Sequence, residues 1–252
     1  GAVTEDQQFS RLSPVATDIL ARFVRENDDD LAKGEGEERD ARRVAARERL
    51  IASRAAELSD MGVPRGLLSY FDHSFDPKLQ PNIPPATWRA IWGSVQSGCW
   101  VTLIGHPGVG KTDFALRCLW EKRISHPYWD AEDFAYIDMA ELATCLNYSM
   151  PDRERGSRIQ MRFNNAAVIL LDDIGYANTE SVRFVVTRWL ISAEKRQQTL
   201  ILTGNLAAGS LAKYVGDAAY SRLVRRPNQI YELKGRDMRR VVSSNSGAND
   251  GR

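Results

Sequence analysis

The stretch VTLIGHPGVGKTDFALRCLW, residues 101–120, decides the fold. An apolar run, Val101 to Ile104, leads into Gly105, His106, Pro107, Gly108, Val109, Gly110, Lys111 and Thr112. A helix-like stretch from Asp113 to Trp120 follows. Strand, tight loop and helix start, in that order, are what a phosphate cradle of the form Gly-x4-Gly-Lys-Thr needs. The glycines let the backbone close on a phosphate and turn several N–H groups inward. The helix start adds the positive end of its dipole. Lys111 can reach the β- and γ-phosphates, and the Thr112 hydroxyl can ligate Mg²⁺. Residues 105–113 are therefore the expected binding site for the phosphates of ATP.

A second motif lies sixty-one residues beyond Lys111. AAVILLDDIG (166–175) reads as a strand buried on both faces, because its apolar run does not alternate. It ends in Asp172 and Asp173, at the carboxyl end where open α/β sheets bind ligands. Asp172 is expected to hold Mg²⁺, directly or through water, and Asp173 to polarise the attacking water. A third run, TLILTGN (199–205), ends in Asn205, which either touches the γ-phosphate or the water or caps the next helix. AAYSRLVRRPNQIYEL (218–233) places Arg222 on a short helix, with Arg225 and Arg226 after it and Pro227 to stop it. An arginine offered to a γ-phosphate stabilises transition-state charge. Its own phosphate loop is expected to be out of reach, so a neighbouring subunit would receive it. The alternative is a solvated basic helix end.

These residues resemble the AAA+ ATPases, and within them the DnaC/IstB group, over roughly residues 62–240. GHPGVGKT is similar to Walker A and VILLDDIG to Walker B, with the paired aspartates of that group. TGN looks like sensor I and SRL like the arginine-finger box. Leu206 to Asp217 and ELKGRDMR (232–239) also match the group's layout. At the last position members often carry Gly-x-Ser-Tyr-Arg; here Gly235, Arg236, Asp237, Met238 and Arg239 stand there, which departs from the pattern around Arg239. The resemblance implies a lidless AAA+ core, and thirty residues after Arg222 are too few for a helical lid. The strand-like FAYIDM (134–139) and the helix-like SVRFVVTRWLISAEKR (181–196) continue the alternation. Together they predict an α/β fold, a P-loop NTPase with a parallel sheet covered by helices on both faces. No Asn-Lys-x-Asp motif occurs, which argues against a GTPase.

Composition fits a cytoplasmic nucleotide enzyme. The 252 residues carry a formal net charge of +1, so overall charge does not announce nucleic-acid binding. Cys99, Cys118 and Cys145 lack metal spacing and are expected to fill core. The three histidines, His73, His106 and His126, are scattered, which argues against a metal cluster. No apolar run is long enough for a membrane span, and no signal peptide is visible. Residues 1–60 read as a helical, partly disordered partner-binding region, 61–240 as the ATPase domain and 241–252 as a disordered tail. PVATDILARFVREN (14–27) holds an apolar face of Val15, Ile19, Leu20 and Phe23. Residues 26–38 read as an acidic linker, and 39–58 as an Ala- and Arg-rich helix. Its arginines, Arg39, Arg42, Arg43, Arg47, Arg49 and Arg54, do not share one face; they serve a solvated helix or contact a partner or DNA. Phe71 and Phe75, in the proline-containing lead-in 61–85, either help line the adenine pocket or pack in the core. PDRERGSRIQMR (151–162) carries Arg153, Arg155, Arg158 and Arg162. In initiator-type AAA+ proteins an insert near here touches DNA, and Gly156 is expected to make a turn that brings Arg155 and Arg158 together. The six tryptophans are expected in core or domain contacts.

The resemblance implies an ATP-dependent, DNA-associated ATPase that self-assembles into a ring or helix. The first reading is a loader of a replicative helicase onto single-stranded DNA. The second is a transposition helper that assembles on double-stranded DNA and activates a transposase. A P-loop kinase of a small metabolite is a third; it explains the phosphate loop but not Asn205 or the Ser-Arg-Leu step.

Overall fold

The computed structural model describes residues 36–68, 82–146, 152–225, 227–235 and 237. The expectations for residues 14–27, Phe71, Phe75, Arg226, Arg239 and the tail lie outside them. Five strands form one sheet: β1 (Val101–Gly105), β2 (Phe134–Asp138), β3 (Val168–Ile174), β4 (Thr199–Gly204) and β5 (Gln229–Leu233). Their order is β2-β3-β4-β1-β5, and each neighbouring pair is parallel.

The strand sequences explain why both faces are covered. In β3, Val168 and Leu170 join one core cluster and Ile169 and Leu171 the other. In β4, Leu200 and Leu202 face one way and Ile201 the other. Successive side chains point to opposite faces, so an unbroken apolar run demands helices on both. On the first face lie α6 (Met139–Cys145), α7 (Arg153–Asn165), α8 (Glu180–Lys195), α9 (Ala208–Val215) and α10 (Asp217–Val224). On the second lie α1 (Gly36–Ala52), α2 (Arg54–Asp60), α4 (Pro85–Gln96) and α5 (Lys111–Ser125). A single turn, α3 (Arg65–Leu68), follows α2.

This arrangement selects the site. The helix after β1, α5, covers the second face, and the helix after the adjacent strand β4, α9, covers the first. Where the following helices part to opposite faces, a crevice opens at the carboxyl ends of the strands.

Two local expectations need correction. The helix over 39–58 is broken at Ser53, whose hydroxyl donates to the carbonyls of Arg49 and Leu50 at 3.0 and 3.4 Å. A serine that bonds the preceding turn competes with the backbone ladder there. The acidic linker 26–38 is too long, because α1 already begins at Gly36.

Helices α1 and α2 are fastened to the sheet's second face. Leu50 and Leu58 are in the same cluster as Val101 and Phe114. Arg123 of α5 is buried, lies 3.0 Å from Glu57 of α2, and also donates to the His126 carbonyl at 3.1 Å. Removing one member of a buried pair leaves the other charge poorly solvated. Glu57→Gln is expected to cost about 2 kcal/mol of stability. A chemical denaturation midpoint measures it; an unchanged midpoint would show that α2 is not fastened through this pair.

Candidate nucleotide site

The loop after β1 turns on two glycines. Gly108 has φ +83 and Gly110, the residue before α5, φ +95, a region that L side chains rarely enter. Lys111 opens α5 and is buried. Its Nζ donates to the carbonyls of Gly105 and His106, each at 2.9 Å, and to Asn205 Oδ1 at 2.7 Å. Pro107 and Val109 complete the loop, with Val109 fully buried. Asp113, in the first turn of α5, is turned to Arg117 at 3.1 Å.

Asp172 is buried and accepts three hydroxyl hydrogen bonds. Thr112 Oγ1 and Thr203 Oγ1 donate to its Oδ1 at 2.9 and 2.6 Å, and the Tyr136 hydroxyl donates to its Oδ2 at 2.9 Å. Burial pushes its carboxyl above the usual carboxylate range, and the three donors only partly offset that. Asp173 has φ +64, unusual for a residue with a side chain, at an irregularity in the β3–β4 register. Its N–H donates to Thr203 Oγ1 at 2.8 Å, and its Oδ1 accepts from Asn205 Nδ2 at 2.5 Å. Its carboxyl is pushed up by burial and then by the charge of Asp172, while Lys111 draws it down. Asn205 thus bridges Lys111 and Asp173. The helix-cap alternative for Asn205 falls away, since Ala207 precedes α9.

The strand order, the loop and this carboxylate pair together have the arrangement of a P-loop fold. The family model described as IstB-like ATP binding protein matches residues 23–246. The chain belongs to that family. The expected AAA+ core of the DnaC/IstB group is thereby met, and with it membership of an ATP-binding family. No curated protein matches the chain. Solved structures similar to it include the DnaC helicase loader, 21% identical over 59% of this chain and 87% of that one, TM-score 0.46. DnaI is 19% identical over 69% of this chain and 93% of that one, TM-score 0.47. AMPPCP-bound DnaA from Aquifex aeolicus is 14% identical over 63% of this chain, TM-score 0.45, and this chain spans about half (49%) of its length.

In this IstB-like chain, Arg222 is not brought to the phosphate loop. Asn228 Nδ2 donates to the Arg222 carbonyl at 2.8 Å, Trp100 N–H donates to Asn228 Oδ1 at 2.9 Å, and Gln229 N–H donates to the Trp100 carbonyl at 3.0 Å. These bonds fix Arg222 at the amino edge of the sheet, beside the residue that precedes β1. The loop lies beyond the carboxyl end of β1, a strand about 13 Å long at roughly 3.3 Å per residue. Arg222 contacts Glu194 instead, at 2.6 Å.

The basic stretch 151–162 departs from expectation. Gly156 makes no turn; it lies inside α7, which Asp152 caps by accepting the Arg155 N–H at 3.0 Å. Helical spacing, not a turn, puts Arg155, Arg158 and Arg162 on one face, three and four residues apart, with Arg153 away from them. Arg155 pairs with Glu141 at 2.6 Å and Arg158 with Glu154 at 2.5 Å. Arg162 packs its guanidinium against Gly62. Arg153 lines a groove between α6, α7 and α8 with Gln160 and Trp189.

Of the cysteines, Cys118 and Cys145 fill core as expected, but Cys99 is only half-buried and belongs to neither cluster. Among the described residues no group of three or more His, Cys, Asp or Glu is placed to hold a metal, and no helix is long and apolar enough to cross a membrane. Sequence reasoning missed Tyr136 and Thr203, the partners of Asp172. No signal in either strand alone, FAYID or TLILTG, could have found them, because the contact depends on which strands are neighbours.

The raised Asp172 carboxyl has a sign that can be tested. A carboxyl whose folded-state pKa exceeds its unfolded value binds its proton more tightly when folded. Stability is then lost as pH rises from the ordinary value, about 4, through the folded one. Asp172→Asn, without nucleotide, is expected to lose less stability than the parent between pH 4 and pH 7. Denaturation midpoints at the two pH values measure it; equal losses would mean that burial of the Asp172 charge costs nothing.

Proposed function

We propose that this chain is an ATP-driven switch that hydrolyses ATP with Mg²⁺ and acts on DNA with a partner protein. The observation that carries the reading is the chain Lys111–Asn205–Asp173 at one edge of the sheet with Arg222 held at the other. The first three fit a γ-phosphate and an attacking water. The fourth fits the site of a neighbouring subunit, because a strand's length separates it from its own loop.

The donor set fits Mg²⁺, a hard cation that takes oxygen ligands and keeps several waters. Thr112 would supply a hydroxyl to it. Asp172 already accepts three hydroxyls and would reach the ion through water. Mg²⁺ neutralises charge on the β- and γ-phosphates when bound. Lys111 would exchange the two loop carbonyls it now bonds for phosphate oxygens, keeping Asn205 as its third partner. Asp173, held by Asn205 and the Thr203 hydroxyl, would accept the proton of an attacking water. Its raised pKa favours that role, since a base with a pKa nearer neutrality accepts protons more readily at the operating pH.

Head-to-tail packing of subunits completes each site and generates rings or helices. Residues 1–60 serve as the partner-binding region ahead of the ATPase domain. Val44 and Ile51 of α1, seven residues apart on one face, are both exposed, and an apolar stripe of that kind suits a protein partner. In the loader reading, put first, that partner is a replicative helicase on single-stranded DNA. The second reading is a helper that works with a transposase on double-stranded DNA, and the family description, IstB-like ATP binding protein, is compatible with both. Both keep Arg153, Arg155, Arg158 and Arg162 as candidates for DNA phosphates.

Lys111→Ala is expected to lose tight ATP binding, and Asp173→Asn to bind ATP but hydrolyse it poorly. Arg222→Ala should bind ATP normally and hydrolyse it poorly. Mixing it with Lys111→Ala should restore activity, because one protein brings an intact loop and the other an intact arginine. Calorimetry and phosphate release measure these; ATP bound by Lys111→Ala as by the parent would sink the loop assignment.

DNA is expected to stimulate hydrolysis, with affinity falling as salt rises. Arg158→Glu should weaken DNA binding at low salt and leave ATP affinity unchanged. Anisotropy with single- and double-stranded oligonucleotides of one sequence separates the two partner readings: preference for the single strand supports the loader, for the duplex the helper. Binding to neither removes DNA from the proposal.

A further inference from the structure

Glu194 lies in the last turn of α8, at the amino edge of the sheet and away from the nucleotide site. Its two carboxylate oxygens are divided between two arginines of the α10 end. Oε2 lies 2.6 Å from Arg222 Nε, and Oε1 accepts from an Arg225 terminal nitrogen at 3.0 Å. The two arginines differ in exposure: the Arg222 side chain is 21% exposed and that of Arg225 64%. Arg222 is also folded back on its own helix, donating to the Ala218 carbonyl. Thus Arg222 is turned toward its own subunit, although a neighbour's phosphate would need it turned outward.

The Arg222–Glu194 contact is close but not well made. The buried Arg222 Nε finds no hydrogen-bond acceptor at a proper angle, and a buried N–H without an acceptor favours an exchange that provides one. Arg225 makes that exchange cheap. A carboxylate deserted by its only partner would be left with an uncompensated charge; Glu194, 35% exposed and already bonded to Arg225, would not be.

We propose that Glu194 is a positioning residue for the arginine that serves the neighbouring subunit. It holds Arg222 on its own subunit until the neighbour's γ-phosphate takes the guanidinium, and Arg225 then keeps Glu194 paired. This rests on the reading of Arg222 as acting in trans. A contact present in the free subunit and absent in the assembly opposes assembly by its own free energy. Arg225 lowers that cost by stabilising Glu194 after the exchange.

The test measures ATP hydrolysis per subunit against concentration of the full chain and reads the midpoint of its rise. Glu194→Gln is expected to lower the midpoint about two- to fivefold, the range for a partly exposed ion pair. The rate at saturating protein and the ATP affinity should not change. Arg225→Ala should raise the midpoint by a similar factor, and should have no effect when added to Glu194→Gln. Glu194→Asp, too short to span both arginines, should shift the midpoint down and guards against a folding defect in the glutamine variant. If Arg222→Ala hydrolyses ATP as well as the parent at every concentration, the trans reading itself fails. If Arg222→Ala loses hydrolysis while Glu194→Gln leaves the midpoint unchanged or raises it, the trans reading stands and the role of Glu194 is overturned. A loss of hydrolysis when Arg225→Ala is added to Glu194→Gln would assign phosphate contact to Arg225 and overturn the exchange.

Discussion

The Thr203 hydroxyl is the interaction on which the nucleotide site depends. It donates to Asp172 Oδ1 and accepts from the Asp173 N–H, so one oxygen fixes both acids of β3. It can do so only because β4 lies parallel to β3 with its own end level with theirs, and because the register between Leu171 and Ile174 is irregular. That irregularity puts Asp173 at φ +64 and turns its carboxylate toward Asn205, one residue beyond β4. From Asn205 the chain of bonds passes to Lys111, at the start of the helix that follows β1. Loop, acid pair and asparagine are therefore one connected unit, spanning three adjacent strands. Moving any of the three strands by one residue would break it, because each side chain would then face the opposite core.

The electrostatics follow from the same placement. Two acids at the end of a buried strand are poorly solvated, and each is pushed toward its neutral form. Three hydroxyls and one lysine oppose that, at a position where a cation would oppose it further. The site is thus least comfortable when it holds least positive charge. Lys111 meanwhile bonds the carbonyls of its own loop, so the loop is closed around its lysine; in the proposed function it would exchange these oxygens for those of phosphate.

What the sequence disclosed was whatever is local along the chain. Gly105 to Thr112 could be read because strand, loop and helix start are contiguous. Asp172, Asp173 and Asn205 could be read because each ends an apolar run. Tyr136 and Thr203 could not, because their role depends on which strand lies beside which and in what register, and neither is written in one strand. Gly156 misled because glycine in a helix costs only about 1 kcal/mol relative to alanine, less than capping and packing return. β5 went unread because only Leu233 of its five residues is buried and because it follows Pro227, which looks like loop. α4 went unread although Pro85 at its first turn is a helix-start signal. The destination of Arg222 was legible only as a negative, that it would not reach its own loop; Glu194, twenty-eight residues earlier on another helix, gave no sign.

Helix α8 gives these two regions a mechanical relation. Its first turn, capped by Thr179, follows directly on the loop that leaves Asp173, and its last turn carries Glu194. Its 16 residues make a rod about 24 Å long, held laterally where Trp189 stacks on Phe163 at 4.4 Å and donates to Gln160. A rod of that length tilted by about 3° at one end moves the other by about 1 Å, comparable to the margin between a good ion pair and a broken one. In the proposed head-to-tail assembly, the state of one pocket would be felt as slack or tension at the next, and firing order would become a property of the circle rather than of any one member.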